Sequence, residues 1–214
     1  MKRQAAVSIF ALAALCGASA AFAQSVQHPW YLEGDYGWSK HGMEGTDLDR
    51  AFATQGFTTS NSMDNKDQAW GLVLGYRFTP NWGIEGAYSD LGKFKYNGTV
   101  IAPAADTVSG DYQAKAWSLA GIGTLPLGNG FGLYGKLGLH DTKAELSATS
   151  GTGAGPTGGT SSGTGLLVGM GATYDFTPAV YGKLGWDRYM RVGDDQKTGR
   201  GDLDVFGAGV GFRF

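Results

Sequence analysis

Eight stretches of the chain alternate polar and apolar residues with a period of two, the repeat of a strand whose two faces meet different surroundings. They cover 30–38, 70–78, 82–88, 117–125, 131–139, 166–176, 180–186 and 206–214, and on one parity none of them carries a charge. All six tryptophans, Trp30, Trp38, Trp70, Trp82, Trp117 and Trp186, fall on that parity, mostly near segment ends. That is where an aromatic girdle sits at the two faces of a membrane. The opposite parity holds Glu33, Asp35, Arg77, Glu85, Lys136, Asp175, Lys183, Asp187 and Arg213, interleaved with glycine. A soluble barrel places its charges outside and its large apolar groups inside. Here the arrangement is reversed, and it predicts an all-β, eight-stranded antiparallel up-and-down transmembrane β-barrel with a polar interior.

The connections alternate in length. Thr79-Pro80-Asn81, 126–130 and Thr177-Pro178 are short, whereas about 40–66, 93–111, 145–163 and 191–202 are long and polar. An even number of strands then puts both ends of the barrel and the short turns on the periplasmic side, with the long loops outside. The Gly/Ser/Thr-rich stretch 147–162 is low in complexity and reads as a mobile loop without fixed conformation.

Composition narrows the classes further. Glycine is the outlier, 37 of 214 residues, but there is no G-X-Y period and only 6 prolines, which excludes collagen. With 13% aromatic and 17% charged residues the chain is too apolar to remain unfolded. A formal charge of −2 without a Lys/Arg cluster argues against nucleic acid as a partner. No run of 18 apolar residues follows residue 24, so no transmembrane helix is expected beyond that point.

The first 23 residues read as a secretory signal peptide. Lys2 and Arg3 precede an Ala-rich apolar stretch, and Ala21-Phe22-Ala23 forms an A-x-A site, so cleavage is expected between Ala23 and Gln24, leaving 24–214 as the barrel. Cys16, the single cysteine, leaves with it; Leu15 before it does not suit a lipoprotein signal.

The stretches Ala69-Trp-Gly-Leu-Val-Leu-Gly-Tyr-Arg-Phe-Thr-Pro80, Trp82-Gly-Ile-Glu-Gly-Ala-Tyr88, Leu133-Tyr-Gly-Lys-Leu-Gly138, Tyr174-Asp-Phe-Thr-Pro178 and Gly209-Val-Gly-Phe-Arg-Phe214 together resemble the eight-stranded transmembrane domain of OmpA-like outer-membrane proteins. The resemblance spans nearly all of 24–214 and places Glu85, Lys136 and Lys183 at the family's lumenal charged positions. It implies an outer-membrane location with outer-membrane lipid and lipopolysaccharide as surroundings. Ile122 and Thr173 stand where the family commonly has further lumenal charges, which implies a thinner interior network. The sequence ends at Phe214, so the peptidoglycan-binding domain of full-length relatives is not expected to follow. Val210, Phe212 and Phe214 resemble the C-terminal insertion signal read by barrel-assembly machinery.

An eight-stranded barrel encloses a space that side chains nearly fill. A lumenal cluster of Glu85, Lys136, Lys183, Arg77, Asp187 and Arg213 is therefore expected to neutralise itself as a plug, with a narrow gated ion or small-solute channel as the alternative. A lipid-modifying enzyme needs a base beside a nucleophile. Of three histidines, His28, His41 and His140, the nearest match is His140 with Asp141 and Thr142, and Ser118 or Ser89 as nucleophile. The expectation is no catalytic site, cofactor or metal: Asn97-Gly98-Thr99 is a chance sequon, the glycines of 151–159 and 207–211 are not phosphate loops because no Gly-Lys-Ser/Thr follows, and neither Asp194-Asp195 nor 64–67 has the spacing of a calcium loop. The long loops are the place for recognition of a host or phage surface. Met43, Phe52, Phe57 and Met63 in the first, and Phe94, Tyr96, Val100 and Ile101 in the second, either contact such a partner or cap the barrel mouth. A monomer with a structural or surface-interaction role is the expected whole.

Overall fold

The computed structural model describes residues 28–42, 44–64, 66–153, 155–194 and 198–214. The signal peptide with its Ala23/Gln24 site, Cys16, Met43 and Asp195 lie outside them. The elements follow in the order β1 (Trp30–His41), α1 (Gly45–Ala53), β2 (Thr58–Met63), β3 (Lys66–Arg77), β4 (Trp82–Ala102), β5 (Asp106–Gly128), β6 (Phe131–Leu146), β7 (Thr149–Ser150), β8 (Gly159–Asp175), β9 (Val180–Asp194) and β10 (Gly199–Arg213). Eight of these strands close a ring, β1-β3-β4-β5-β6-β8-β9-β10 and back to β1, antiparallel throughout. Closure rests on β1 and β10, where Leu32 faces Phe212 and Trp38 faces Phe206 in register. A closed ring leaves no free strand edge, the condition for crossing hydrocarbon with strands. No helix among the described residues is long and apolar enough to cross a membrane.

The barrel is inside-out. On β5, Trp117 is 67% exposed while its neighbours Ala116 and Ala120 on the other parity are buried, and the same alternation runs through the other barrel strands. Trp30 and Trp38 are eight residues apart on β1, about 26 Å along a strand at ~3.3 Å per residue. With the usual tilt of ~40° that separation becomes about 20 Å across the bilayer, close to the ~25 Å apolar band of such barrels.

Two of the three short turns are built alike from Phe-Thr-Pro. In each, the threonine hydroxyl accepts from the amide that starts the next strand, Trp82 N at 3.0 Å from Thr79 and Val180 N at 2.9 Å from Thr177. The third, Gly128-Asn129-Gly130, holds three consecutive residues at φ of 93°, 52° and 84°, which glycine adopts freely and asparagine tolerates.

The long side departs from the sequence expectation. The stretches 93–111 and 191–202, expected as loops, are largely strand among the described residues, because their backbones pair with each other rather than with water. Within 147–162, expected as a mobile loop, Thr149 and Ser150 pair with Ser109 and Val108, and 159–162 continue β8 against β6. The first long connection folds into α1 and β2, and β2 adds to the outer half of β4.

A β-bulge decides what fills the outer mouth. Between Asp90 and Lys93 the register of β4 against β5 slips, with Gly92 at φ +103°. One extra residue reverses which parity faces inward. Below the bulge Glu85 points in, and above it Phe94, Tyr96 and Val100 are buried. They join Leu48 and Phe52 of α1, Tyr112 and Ala114 of β5, Leu146, Val192 and Leu203 in an apolar core above the lumen. Phe57 and Met63 pack against it, so among the described residues Phe52, Phe57 and Met63 of the first loop and Phe94, Tyr96 and Val100 of the second cap the barrel, while Ile101 is exposed.

Candidate functional site: the lumen and its outer cap

The lumen is built by one repeated device. A polar side chain on one strand reaches over an inward-facing glycine of the next strand to a partner on the strand beyond. Register aligns the three residues in a row: Tyr31, Gly75 and Glu85; Glu33, Gly211 and Tyr181; Asp35, Gly209 and Lys183; Lys136, Gly169 and Asp187. A Cβ on Gly75 would fall inside the Tyr31 ring, one on Gly211 inside the Tyr181 ring, and one on Gly209 or Gly169 against Asp35 or Asp187. The glycines are therefore floor space for the side chains that fill the interior, the use that a barrel of this width demands.

Within these rows the Tyr31 hydroxyl donates to Glu85 Oε1 at 2.7 Å and the Tyr181 hydroxyl to Glu33 Oε2 at 2.8 Å. Lys183 is paired with both Glu33 and Asp35, the second at 3.1 Å, and Lys136 with Asp187 at 2.7 Å. Ions in so confined a space persist only when paired and hydrogen-bonded. At the end of the short turns Arg213 pairs with Asp175 at 2.7 Å and lies 4.4 Å over Tyr181, while Arg77 sits 5.6 Å over Tyr31.

Of the six residues expected to form the lumenal cluster, Glu85, Lys136 and Lys183 are buried in the interior and Asp187 joins Lys136, whereas Arg77 and Arg213 stand at the mouth beside the short turns. The pairing differs from the expectation in one respect. Glu85 does not meet the two lysines as an ion pair; it takes Tyr31, and the lysines take Glu33, Asp35 and Asp187. The cause is closure: joining β10 to β1 brings Glu33 and Asp35 two strands from Lys183, nearer than Glu85. Ile122 is a buried lumenal residue on β5, and Thr173 faces Lys183 in register. Tyr31, Tyr134 and Tyr181 were missed because an aromatic residue reads as lipid-facing in this pattern. Their signal was an inward parity with a glycine opposite.

Asp35 Oδ1 and Asp187 Oδ1 are buried without a hydrogen-bond partner. Both residues border a cavity of about 40 Å³ also lined by Ser89, Tyr134, Lys183 and Tyr189, enough room for a water molecule. The histidine considered as a base is occupied. His140 Nδ1 lies 2.5 Å from Thr142 Oγ1 and Nε2 3.0 Å from the Met190 carbonyl. Ser89 is hydrogen-bonded to the Tyr189 hydroxyl at 3.0 Å instead. Among the described residues no cluster of His, Cys, Asp and Glu could hold a metal.

Five of the six tryptophans are exposed on the outer wall. Trp186 is half-buried, with Arg188 5.5 Å over its ring and its indole N–H donating to Asp204 at 2.9 Å. Val210, Phe212 and Phe214 are exposed on β10 and its end, and Phe214 N donates to the Trp30 carbonyl at 2.9 Å. Above the cap the loops are tied together. Gln55 Nε2 donates to the Thr157 carbonyl at 3.1 Å while Thr157 N donates back to Gln55 Oε1 at 3.0 Å. Asp106 takes the Thr152 hydroxyl at 2.8 Å and amide at 3.1 Å, bonds that hold its carboxyl below the usual carboxylate range.

Residues 8–214 match the family described as outer membrane protein beta-barrel domain. The chain belongs to that family. It is 26% identical over 199 residues to outer membrane protein A of Yersinia pseudotuberculosis, covering 92% of this chain and 52% of the relative, and 27% identical over 218 residues to outer membrane protein A of Serratia marcescens, covering 100% and 56%. The chain thus spans about half the length of the curated relatives it matches. Among solved structures it is similar in fold to Neisserial surface protein A, with a TM-score of 0.56, 16% identity and coverage of 86% of this chain and 97% of that one. It is also similar to Ail, the attachment invasion locus protein of Yersinia pestis, with a TM-score of 0.51, 17% identity and coverage of 87% and 99%. It is an OmpA-like outer-membrane β-barrel.

Proposed function

We propose that the chain is a non-catalytic, monomeric barrel that braces the outer membrane and presents a stiff outer cap for recognition at the cell surface, as an adhesin or a phage receptor. The observation that carries this reading is the stacking of two seals in one lumen, a charge layer seated on glycines beneath an apolar cap closed by α1. Paired strands and cross-tied loops lose little conformational freedom on contact, which favours recognition. On the same reading the signal peptide of 1–23 directs export, and the exposed stripe Val210, Phe212 and Phe214 is read by the assembly machinery. A narrow channel is the second reading, favoured by the unpartnered oxygens of Asp35 and Asp187 beside a small cavity.

Planar-bilayer recordings of the native protein and of Glu85→Ala separate the two. The proposal expects no discrete conductance from either, and unitary steps in the native protein would favour the channel. Removal of 44–63, which carries α1 and β2, is expected to abolish adsorption of host cells or phage to bacteria displaying the protein; unchanged adsorption would overturn the recognition role.

A further inference from the structure

We infer that the mouth on the short-turn side of the barrel is a binding site for an oxyanion, a carboxylate or phosphate group of a water-soluble molecule, held by Arg77 and Arg213. The site lies at the opposite end from the cap and goes beyond the surface role. A cavity of about 420 Å³ opens there, bordered by His28, Arg77, Thr124, Thr173, Asp175 and Arg213 among others. Two guanidinium groups against one carboxylate leave it with an excess of positive charge. A cleft whose walls carry one sign of charge concentrates the opposite ion.

The two arginines are seated alike. Register places Arg213 opposite Tyr31 on β1 and Tyr31 opposite Gly75 on β3, with Arg77 two residues nearer the turns. Tyr31 and Tyr181 meet edge to face at 6.2 Å; Arg77 lies 5.6 Å over the first ring and Arg213 4.4 Å over the second. A guanidinium held by its face keeps its N–H edge free for an oxyanion. Arg213 spends part of that edge on Asp175 at 2.7 Å and the Pro178 carbonyl at 3.4 Å, and its Nε is buried without an acceptor. Arg77, half-buried, spends none of it. Among the described residues no carboxylate lies within ion-pair distance of Arg77, and its side chain donates no hydrogen bond. Glu85 does not serve it, because Glu85 faces Gly75, two residues deeper, and takes the Tyr31 hydroxyl. The fork of Arg77 thus borders the cavity unengaged, with the Thr124 and Thr173 hydroxyls around the same space. Forked donation to a carboxylate or phosphate is what such a group is suited to.

The test uses the full chain folded in neutral detergent with 15N-labelled arginine and follows the arginine Nε–H resonances by NMR. Inorganic phosphate, and in a second series citrate, is added at constant ionic strength, so that general screening does not mimic binding. A saturable shift of the Arg77 and Arg213 resonances is expected. Affinity should fall about tenfold in Arg77→Gln, the loss of a hydrogen bond to a charged group, and stay unchanged in Arg188→Gln on the outer wall. Arg77→Lys keeps the charge over Tyr31 but not the fork; it should bind several-fold more weakly than the native protein, and it carries the test if Arg77→Gln does not fold. Native affinity in either Arg77 variant, or no saturable shift with phosphate and citrate, would overturn the site. A shift produced by micelles containing phosphatidylglycerol but by neither soluble anion would overturn a water-soluble molecule as its ligand.

Discussion

Tyr31 on β1 and Glu85 on β4 meet across an intervening strand, the phenol passing over Gly75 of β3 to donate at 2.7 Å. Three further rows repeat the relationship, so the glycine content of the chain and the polar content of its lumen are one property. Removing one partner of such a pair leaves a buried group unsatisfied, at a cost of about 1–3 kcal/mol. Tyr31→Phe should lose about that much, and Tyr31→Phe combined with Glu85→Leu should recover most of it, read as urea unfolding in lipid vesicles. A neutral Tyr31→Phe would contradict the pairing.

Gly75→Ala puts a methyl group where the Tyr31 ring lies, and Gly211→Ala does the same to Tyr181. Overpacking of this kind costs roughly 1–3 kcal/mol. In a double-mutant cycle Gly75→Ala and Tyr31→Ala should couple strongly, with the second change relieving the first, whereas Gly75→Ala and Tyr112→Ala, the latter in the cap, should add. Equal coupling in both cycles would mean that the glycines act on the backbone and not as seats.

Lys183→Met strips the cation from two carboxylates, Glu33 and Asp35, whereas Lys136→Met leaves Asp187 alone. Breaking a buried pair costs about 3–5 kcal/mol. Both variants should unfold at lower urea, Lys183→Met at the lower concentration of the two. The reverse order would count against the assigned partners.

In the cap, above the membrane-spanning part of β1, His41 is buried edge-on to Phe94 at 5.4 Å and Tyr112 at 4.9 Å. Burial lowers its pKa to about 4, outweighing the opposing pull of Asp47 on α1 and Asp202 on β10. A histidine depressed in the fold contributes stability that is present above its ordinary pKa of ~6.5 and is lost as pH falls toward the folded value. Limited proteolysis of the outer loops should therefore accelerate progressively between about pH 6.5 and pH 4, while the membrane part stays protected. His41→Phe should flatten that dependence; an unchanged pH profile in the variant would remove His41 as the cause.

Much of the fold was legible because the bilayer imposes a period of two with opposite chemistry on each face. Trp30, Trp38, Trp70, Trp82, Trp117 and Trp186 gave away the outer wall, and Phe-Thr-Pro at both 78–80 and 176–178 gave away the short turns. The outer half was not legible. The bulge at Leu91-Gly92 exchanges the faces of β4, so Phe94 and Tyr96 change from apparent loop residues to cap, and a single sequence offers only Gly92 as a hint. The helix α1 had a clearer signal, Glu44 and Asp47 forming a capping box ahead of Leu48, Ala51 and Phe52 on one face. Lumenal partners were illegible in principle from parity alone, since parity says which residues point inward but not which share a row; closure of β1 on β10 decides that Lys183 meets Glu33.

The central claim, a closed barrel with its apolar face outward, is tested most directly by heat-modifiability. Protein extracted from membranes with detergent is run on SDS gels unheated and boiled, and its far-UV circular dichroism is recorded. A β-type spectrum with a faster, compact band that shifts on boiling is the predicted result. A protein soluble without detergent that migrates identically before and after boiling would contradict it, and would mean that Trp38, Trp117 and their neighbours face a core instead of lipid.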